Sequence, residues 1–227
     1  LVPASAPLSK QTYTGGNDTQ KQAYLKYITT LLTLCGWDEA QAARDAQAVF
    51  NFDAKLSAAS LSPADQHDLE KIYNVYSYED LCSEFPTVDI NAVYEKVGYQ
   101  PTDTVIVGDV GLMECVSGLL TEENLDMLKL YLKVGLVKYG AGMFGEDFRE
   151  ATITYTQELF GISGSTPLET VAATRVSDYL YDYVGEAYAE KYCTEQMKED
   201  ITEMTHDIIA VYKERIQNLT WMSEETK

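Results

Sequence analysis

Residues 24–56, Tyr24-Leu25-Lys26-Tyr27-Ile28-Thr29-Thr30-Leu31-Leu32-Thr33-Leu34-Cys35-Gly36-Trp37-Asp38-Glu39-Ala40-Gln41-Ala42-Ala43-Arg44-Asp45-Ala46-Gln47-Ala48-Val49-Phe50-Asn51-Phe52-Asp53-Ala54-Lys55-Leu56, decide the fold class. Tyr24, Ile28, Leu31 and Cys35 recur three and four positions apart, which lines them up on one face of an α-helix. Gly36 is a natural stop for that helix. Asp38 then caps a second helix, with Glu39 in its first turn facing the positive end of the helix dipole. Ala42, Ala46, Val49, Phe52 and Leu56 form the apolar stripe of this second helix.

The same grammar continues downstream. Ser62-Pro63-Ala64-Asp65 places a cap, a proline at the first helical position and an acid, so a short helix with Leu69 and Ile72 inward is expected. Ser77-Tyr78-Glu79-Asp80 starts another, ended by Phe85-Pro86. Asp89 to Val97 reads as one more, closed by Gly98. Val105-Ile106-Val107 is the one strand-like run, with no evident pairing partner in the chain.

Thr121-Glu122-Glu123 opens a helix whose stripe is Leu125, Leu128, Leu132 and Leu136. Met127, Leu130, Tyr131, Val134 and Val137 fill its other faces. A helix apolar nearly all round is expected at the centre of the fold. Gly140 and Gly142 break it. Phe144, Phe148, Ala151, Tyr155 and Leu159 define the next helix, stopped by Gly161 and Gly164. Thr166-Pro167-Leu168-Glu169 is a capping box, followed on one face by Leu168, Ala172, Val176, Tyr179 and Tyr183. A long helix from about Thr194 to Leu219 carries Met197, Ile201, Met204, Ile208 and Val211. Residues 1–17 read as a linker or extended lead-in. Residues 18–227 read as an all-α, multi-helix, bundle-like unit with at most one short strand.

Thirty-six acidic against 17 basic residues leave a net charge of -19. Such a surface repels phosphate backbones and anionic headgroups, so no nucleic-acid partner is expected. No run of ~20 apolar residues exists, so no transmembrane segment is expected. Leu1-Val2-Pro3-Ala4-Ser5-Ala6-Pro7 lacks the basic start and apolar core of an intact signal peptide. With no initiator Met, the chain is expected to begin inside a longer protein or after processing. Cys35, Cys82, Cys115 and Cys193 are scattered, without C-x-x-C spacing, and suit small buried apolar positions better than a disulfide framework. One long-range disulfide stays open.

Catalytic signatures are missing. There are two histidines, His67 and His206. Glu203-Met204-Thr205-His206 spells E-x-x-H, but the second copy that a di-iron bundle needs is absent, since Ala64 stands three residues before His67. No clustered Cys or His set supports structural zinc. No G-x-S-x-G, Walker loop or G-x-G-x-x-G occurs. The expected catalytic, cofactor-binding and metal-ligating residues of this chain are therefore none. Seventeen tyrosines are many for this length, clustered at Tyr73, Tyr76 and Tyr78, at Tyr179, Tyr181 and Tyr183, and at Tyr188 and Tyr192. They suit helix packing with wet hydroxyls, or a face bordering another domain or a peptide-holding cavity.

The last nine residues, Leu219-Thr220-Trp221-Met222-Ser223-Glu224-Glu225-Thr226-Lys227, resemble the L-x-W-M-[DS]-x-x-T-[KR] segment of the neprilysin and endothelin-converting-enzyme family of zinc metallopeptidases. Ser223 opens a new helical signal there. Further upstream, Tyr183-Val184-Gly185-Glu186-Ala187-Tyr188 is similar to the family's Gly-x-x-Tyr stretch. Phe85-Pro86-Thr87-Val88-Asp89, Gly98, and Val105-Ile106-Val107 with Leu112 match its middle pattern, and Tyr24 to Leu56 resembles its earlier helix pair. The similarity runs over most of residues 13–227, and the Trp-Met turn is its most specific part.

That resemblance implies a parent that is a zinc-dependent endopeptidase acting on peptides, extracytoplasmic, with a catalytic and a helical lobe enclosing a cavity that limits substrate size. Residues 18–227 would be the helical, non-catalytic lobe. Its partners would be the catalytic lobe of the same parent chain and peptide substrates. Zinc would sit in the catalytic half, because H-E-x-x-H, the downstream glutamate motif and N-A-x-[YF] have no counterpart here. Arg175 matches the basic residue of an Arg-Cys pair of mammalian members, but Val176 follows it. The mammalian disulfide pattern is not carried over, and a bacterial member is expected. The alternative is a free-standing helical peptide- or partner-binding module without enzymatic activity.

Overall fold

The computed structural model describes residues 6–227. In chain order its elements are α1 (Lys10–Tyr13), α2 (Asp18–Leu34), α3 (Glu39–Ala59), α4 (Leu69–Ile72), β1 (Asn74–Ser77), α5 (Tyr78–Glu84), α6 (Ile90–Val97), β2 (Thr104–Val107), α7 (Val110–Leu119), α8 (Leu125–Gly140), α9 (Glu146–Phe160), α10 (Leu168–Tyr179), α11 (Tyr181–Tyr192) and α12 (Glu195–Gln217). The all-α class holds. Two compact units are present, one up to Gly164 and one spanning Ser165–Lys227.

The first unit is built on α2 and α3. Asn17 Oδ1 accepts from the Gln20 N–H and Asp38 Oδ1 from the Gln41 N–H, so both helices start at side-chain caps. Gly36, at φ +91°, lets the chain turn between them at a conformation other residues avoid. Tyr24, Ile28 and Leu32 meet Ala42, Ala46, Val49 and Phe50, and Val134 of α8 joins them. Tyr27 and Leu31 pack with Ala141 and take Phe148, Ala151 and Tyr155 of α9 against them. Phe52 and Leu56 close on Leu112 of α7. Asp109 secures that corner: its Oδ1 accepts from the Leu112 N–H and its Oδ2 from the Leu61 N–H, at 2.9 and 2.8 Å.

A smaller cluster collects Leu81, Phe85, Ile90, Val105, Val107 and Met113. Val105 and Val107 project inward from β2, as period-two alternation requires. Here the strand-like run finds a partner that the pattern did not offer. β1 pairs with β2 antiparallel, Val75 opposite Ile106 and Tyr76 opposite Val105. Four residues between two helix signals are too few to show alternation, which is why β1 was not expected.

Three expectations are corrected. Leu69, expected inward, is 73% exposed, because the segment before it makes only a 3-10 turn at Asp65–His67 and the four-residue α4 lies on the surface. Of the leucine stripe on α8, Leu125, Leu132 and Leu136 are exposed, and the helix buries the roughly opposite face, which carries Val134, instead. Cys35 and Cys193 are exposed, because each follows the last residue of a helix; Cys82 and Cys115 are half-buried, and all four are unpaired.

The second unit contains α10, α11 and α12. Thr194 Oγ1 accepts from the Met197 N–H at 3.2 Å and caps α12, which runs 23 residues. Met197, Ile201, Met204, Ile208 and Val211 lie along α12 as the spacing predicts, yet all are exposed. None of the described residues of this unit is buried. After α12, Trp221 is exposed, and Ser223 Oγ accepts from the Thr226 N–H, so a single turn stands where a new helix was expected to open.

Candidate functional site

At the heart of the first unit, four helices bring an acid, phenols and an amine together. Asp53 lies on the apolar face of α3, between Phe50 and Leu56, and is 1% exposed. Tyr24 Oη of α2 donates to its Oδ2 at 2.7 Å, and Tyr131 Oη of α8 donates to its Oδ1 at 2.8 Å. Lys138 Nζ, two turns along α8, donates to Tyr24 Oη at 2.9 Å and sits 4.7 Å from the centre of its ring. Both carboxylate oxygens therefore have a partner. Burial still pushes the Asp53 carboxyl above the usual carboxylate range, while the phenol hydrogen bonds pull it back. Burial first, then the Asp53 charge, pushes the Tyr24 and Tyr131 phenols well up. Tyr155 of α9 rises to about 12, again mainly through burial. Burial pulls the Lys138 ammonium down.

Asp53 and Tyr24 are sealed from solvent and Tyr131, Lys138 and Tyr155 are half-buried around them, so the cluster ties these helices together at the core. The sequence carried a signal for it: an acid within the stripe Val49, Phe50, Leu56 is a polar group the core must satisfy. Tyr131 and Lys138, at a seven-residue spacing, share one helix face and supply part of that answer.

A groove of about 320 Å³ runs between α2 and α9. Tyr27 and Tyr155 stack in its wall, ring centres 4.4 Å apart and 5° from parallel. Its rim carries the Lys26–Glu158 ion pair at 2.5 Å, with Asp147 and Glu150 beside it. The groove joins residues more than a hundred positions apart, which no local pattern reveals.

The clustered tyrosines have different fates. Tyr76 Oη reaches Glu84 Oε1 at 3.3 Å, and Tyr78 Oη donates to Asn91 Oδ1 at 2.8 Å, so both serve the small cluster. In the second unit Tyr181, Tyr183, Tyr188 and Tyr192 are exposed, and Tyr188 and Tyr192 lie ring to ring at 4.8 Å. Glu203 and His206 both lie on α12, on its solvent-facing surface. Among the described residues no group of three or more His, Cys, Asp or Glu could hold a metal ion. The residues present do not fit a zinc centre.

The family described as Peptidase family M13 matches residues 3–227. The chain is 28% identical over 203 residues to the neutral endopeptidase of Lactobacillus helveticus, covering 89% of this chain and 31% of that protein. It is 22% identical over 227 residues to human endothelin-converting enzyme 1, covering 96% of this chain and 30% of that protein. Among solved structures, a zinc metalloprotease of Mycobacterium tuberculosis in complex with an inhibitor superposes with a TM-score of 0.81 at 18% identity, covering 99% of this chain and 35% of that one. The chain thus spans about a third of the length of the curated relatives it matches.

Proposed function

From the premise that this chain belongs to peptidase family M13, we propose that it is the helical, non-catalytic lobe of a zinc-dependent endopeptidase. In this reading it walls the substrate cavity, restricts access to small peptides and leaves the chemistry to the catalytic lobe of the same parent chain. Zinc belongs to that other lobe, where H-E-x-x-H supplies two ligands and a general base from one helix face. The parent works outside the cytoplasm, as the resemblance to neprilysin implies. Among the described residues no helix is long and apolar enough to cross a membrane.

The observation that carries the reading is α12. Its apolar stripe and the tyrosines of α11 are laid out for contact, yet nothing within their own unit buries them. A surface of this kind fits a neighbouring lobe along the stripe and a wet peptide cavity along the tyrosines. The net charge of -19 disfavours strongly acidic peptides near such a wall, an effect salt screens beyond ~8 Å.

The test assays this chain and the full-length parent side by side on a mixed peptide library with zinc present. The parent is expected to cleave short peptides in a chelator-sensitive way, and the isolated chain to cleave none. Replacing Tyr183 and Tyr188 by alanine in the parent should change the length preference while leaving hydrolysis of the shortest peptides intact. Chelator-sensitive cleavage by the purified chain refutes the lobe assignment. An inactive parent with intact H-E-x-x-H favours a binding module.

A further inference from the structure

Helix α12 is ordered beyond simple amphipathicity. Met197, Ile201, Met204, Ile208 and Val211 follow one another at intervals of four, three, four and three residues. That is the spacing of a heptad, with Ile201 and Ile208 at position a and Met197, Met204 and Val211 at position d. The row extends about 21 Å along the helix at 1.5 Å per residue. All five side chains are 47–60% exposed. A row of this period offers gaps that the side chains of another α-helix enter, whereas an extended peptide, with its period of two, does not match it.

The two flanks of the row differ. Asp200, Asp207 and Glu214 take the g positions along one side, and all three are exposed. Among the described residues none of them has an ion-pair partner; Asp200 Oδ1 accepts from Gln196 Nε2 at 2.9 Å. The e positions on the other side are Lys198, Thr205 and Tyr212, without an acid. This asymmetry discriminates between occupants. Antiparallel pairing of two copies of α12 would set the acidic row against itself, and parallel pairing would set Asp200 and Asp207 against Thr205 and Tyr212, which cannot neutralise them. The net charge of -19 adds repulsion between copies. Anionic headgroups are repelled by the same row. A helix with Lys or Arg beside its own aliphatic seam complements both the spacing and the charge.

We propose that the α12 row is the docking face for one amphipathic helix of the parent. Its aliphatic residues fill the gaps between Met197 and Val211, and its basic side chains lie along Asp200, Asp207 and Glu214. The source of that helix rests on the lobe reading above: it belongs to the part of the parent that this chain does not span. Two heptads make a single contact of this kind, not a long supercoil. The charges select the helix and its register more than they tighten it.

The test titrates the 227-residue chain and the full-length parent with labelled peptides of about 21 residues, three heptads each. One peptide has Ile and Leu at a and d with Lys at e and g, the second has Glu in place of each Lys, and the third is a scramble of the first. Fluorescence anisotropy at physiological salt measures affinity, and hydrogen exchange locates the site. The chain should bind the Lys peptide at least tenfold more tightly than either of the others, with protection gained in α12. Asp200→Lys, Asp207→Lys and Glu214→Lys together should reverse the preference between the Lys and Glu peptides. Glu195→Lys with Glu199→Lys, on the far side of α12, should leave it in place. Ile201→Ser with Ile208→Ser should abolish binding. Should the triple lysine variant fail to fold by circular dichroism, Asp200→Asn, Asp207→Asn and Glu214→Gln together should erase the preference.

Equal binding of the Lys peptide and its scramble overturns the proposal, and so does a preference that the acidic row does not control. Dimerisation of the chain in sedimentation, lost in Ile201→Ser with Ile208→Ser, also overturns it, because the row then takes a second copy. In the parent the row should already be filled, so the Lys peptide should bind at least tenfold more weakly there than to the chain. Equal binding to chain and parent overturns the docking of a parent helix, and the lobe reading still stands if that parent cleaves peptides. An inactive parent that blocks the Lys peptide supports the docking and sinks the lobe reading alone.

Discussion

Helices α3 and α12 are written alike and end up differently. Each begins at a side-chain cap, Asp38 or Thr194, runs 21 or 23 residues, and carries apolar residues at three- and four-residue intervals. The stripe of α3 disappears against α2, α7 and α8. The stripe of α12 stays exposed along its length. Periodicity therefore names the face a helix offers, and says nothing of whether its partner lies in the same unit. Helical stability comes mostly from that partner, so the two regions should differ in how easily they open.

The largest effect that could break this contrast is in hydrogen exchange. Amides in the middle of α2 and α3 open only with the whole first unit, whereas those of α12 open locally. Exchange followed by mass spectrometry should run on the order of 10³-fold faster in α12 than in α3. Equal protection would mean that the exposed stripe is covered in solution. In the full-length parent, α12 should gain protection, which sharpens the lobe assignment.

Core truncation gives the next largest effect. Ile28 is fully buried, so Ile28→Ala removes methylenes and leaves a cavity, at a cost of about 2–5 kcal/mol. Ile208 of α12 is 50% exposed, and Ile208→Ala should stay within about 0.5 kcal/mol. Urea denaturation monitored by circular dichroism compares them. A large cost at Ile208 would place it in a core that the isolated chain does not show.

The same contrast explains what was legible in the sequence. Side-chain caps set the starts of α2, α3, α6 and α12, and glycines follow the ends of α2 and α6, because both signals act within a few residues. The leucine stripe of α8 misled because the helix carries apolar residues on more than one face, and the α2 and α3 residues it packs against lie far away in the sequence. Asp53 itself was passed over as one acid among many. β1 escaped because its pairing with β2 is set by chain closure over thirty residues, not by its own four. The absence of a local catalytic signature left the functional reading to the Leu219–Lys227 resemblance, and the groove between α2 and α9 had no local trace at all.

Alkaline titration probes the buried ring of the first unit. Folding raises the phenols of Tyr24 and Tyr131 above their ordinary value of 10.0 and lifts Tyr155 to about 12. The folded state thus favours their protonated forms. Their contribution to stability is fully present below pH 10 and is lost as pH rises from 10 towards 12 and beyond. Lys138, lowered by burial, works the other way and offsets part of the loss above its folded value. With three phenols against one amine, stability should fall with rising pH above 10, and Tyr24→Phe should flatten the slope. A flat urea midpoint between pH 9 and 11.5 would contradict the burial of this ring.

The smallest effect tests the two caps. Asp38 and Thr194 each accept a backbone N–H in the first turn of their helix, at 3.0 and 3.2 Å. Replacing either by alanine orphans that N–H, at a cost of about 1 kcal/mol to the helix. For Asp38→Ala the cost should appear in full as a lower urea midpoint, because α3 cannot fray without uncovering the core of the first unit. For Thr194→Ala it should appear as a loss of helical signal before the main transition, with the midpoint unchanged, because the stripe of α12 has no buried contacts to lose. Equal midpoint shifts from the two variants would show α3 and α12 melting as one cooperative body, and the distinction between a covered and an uncovered stripe would fail as an account of stability.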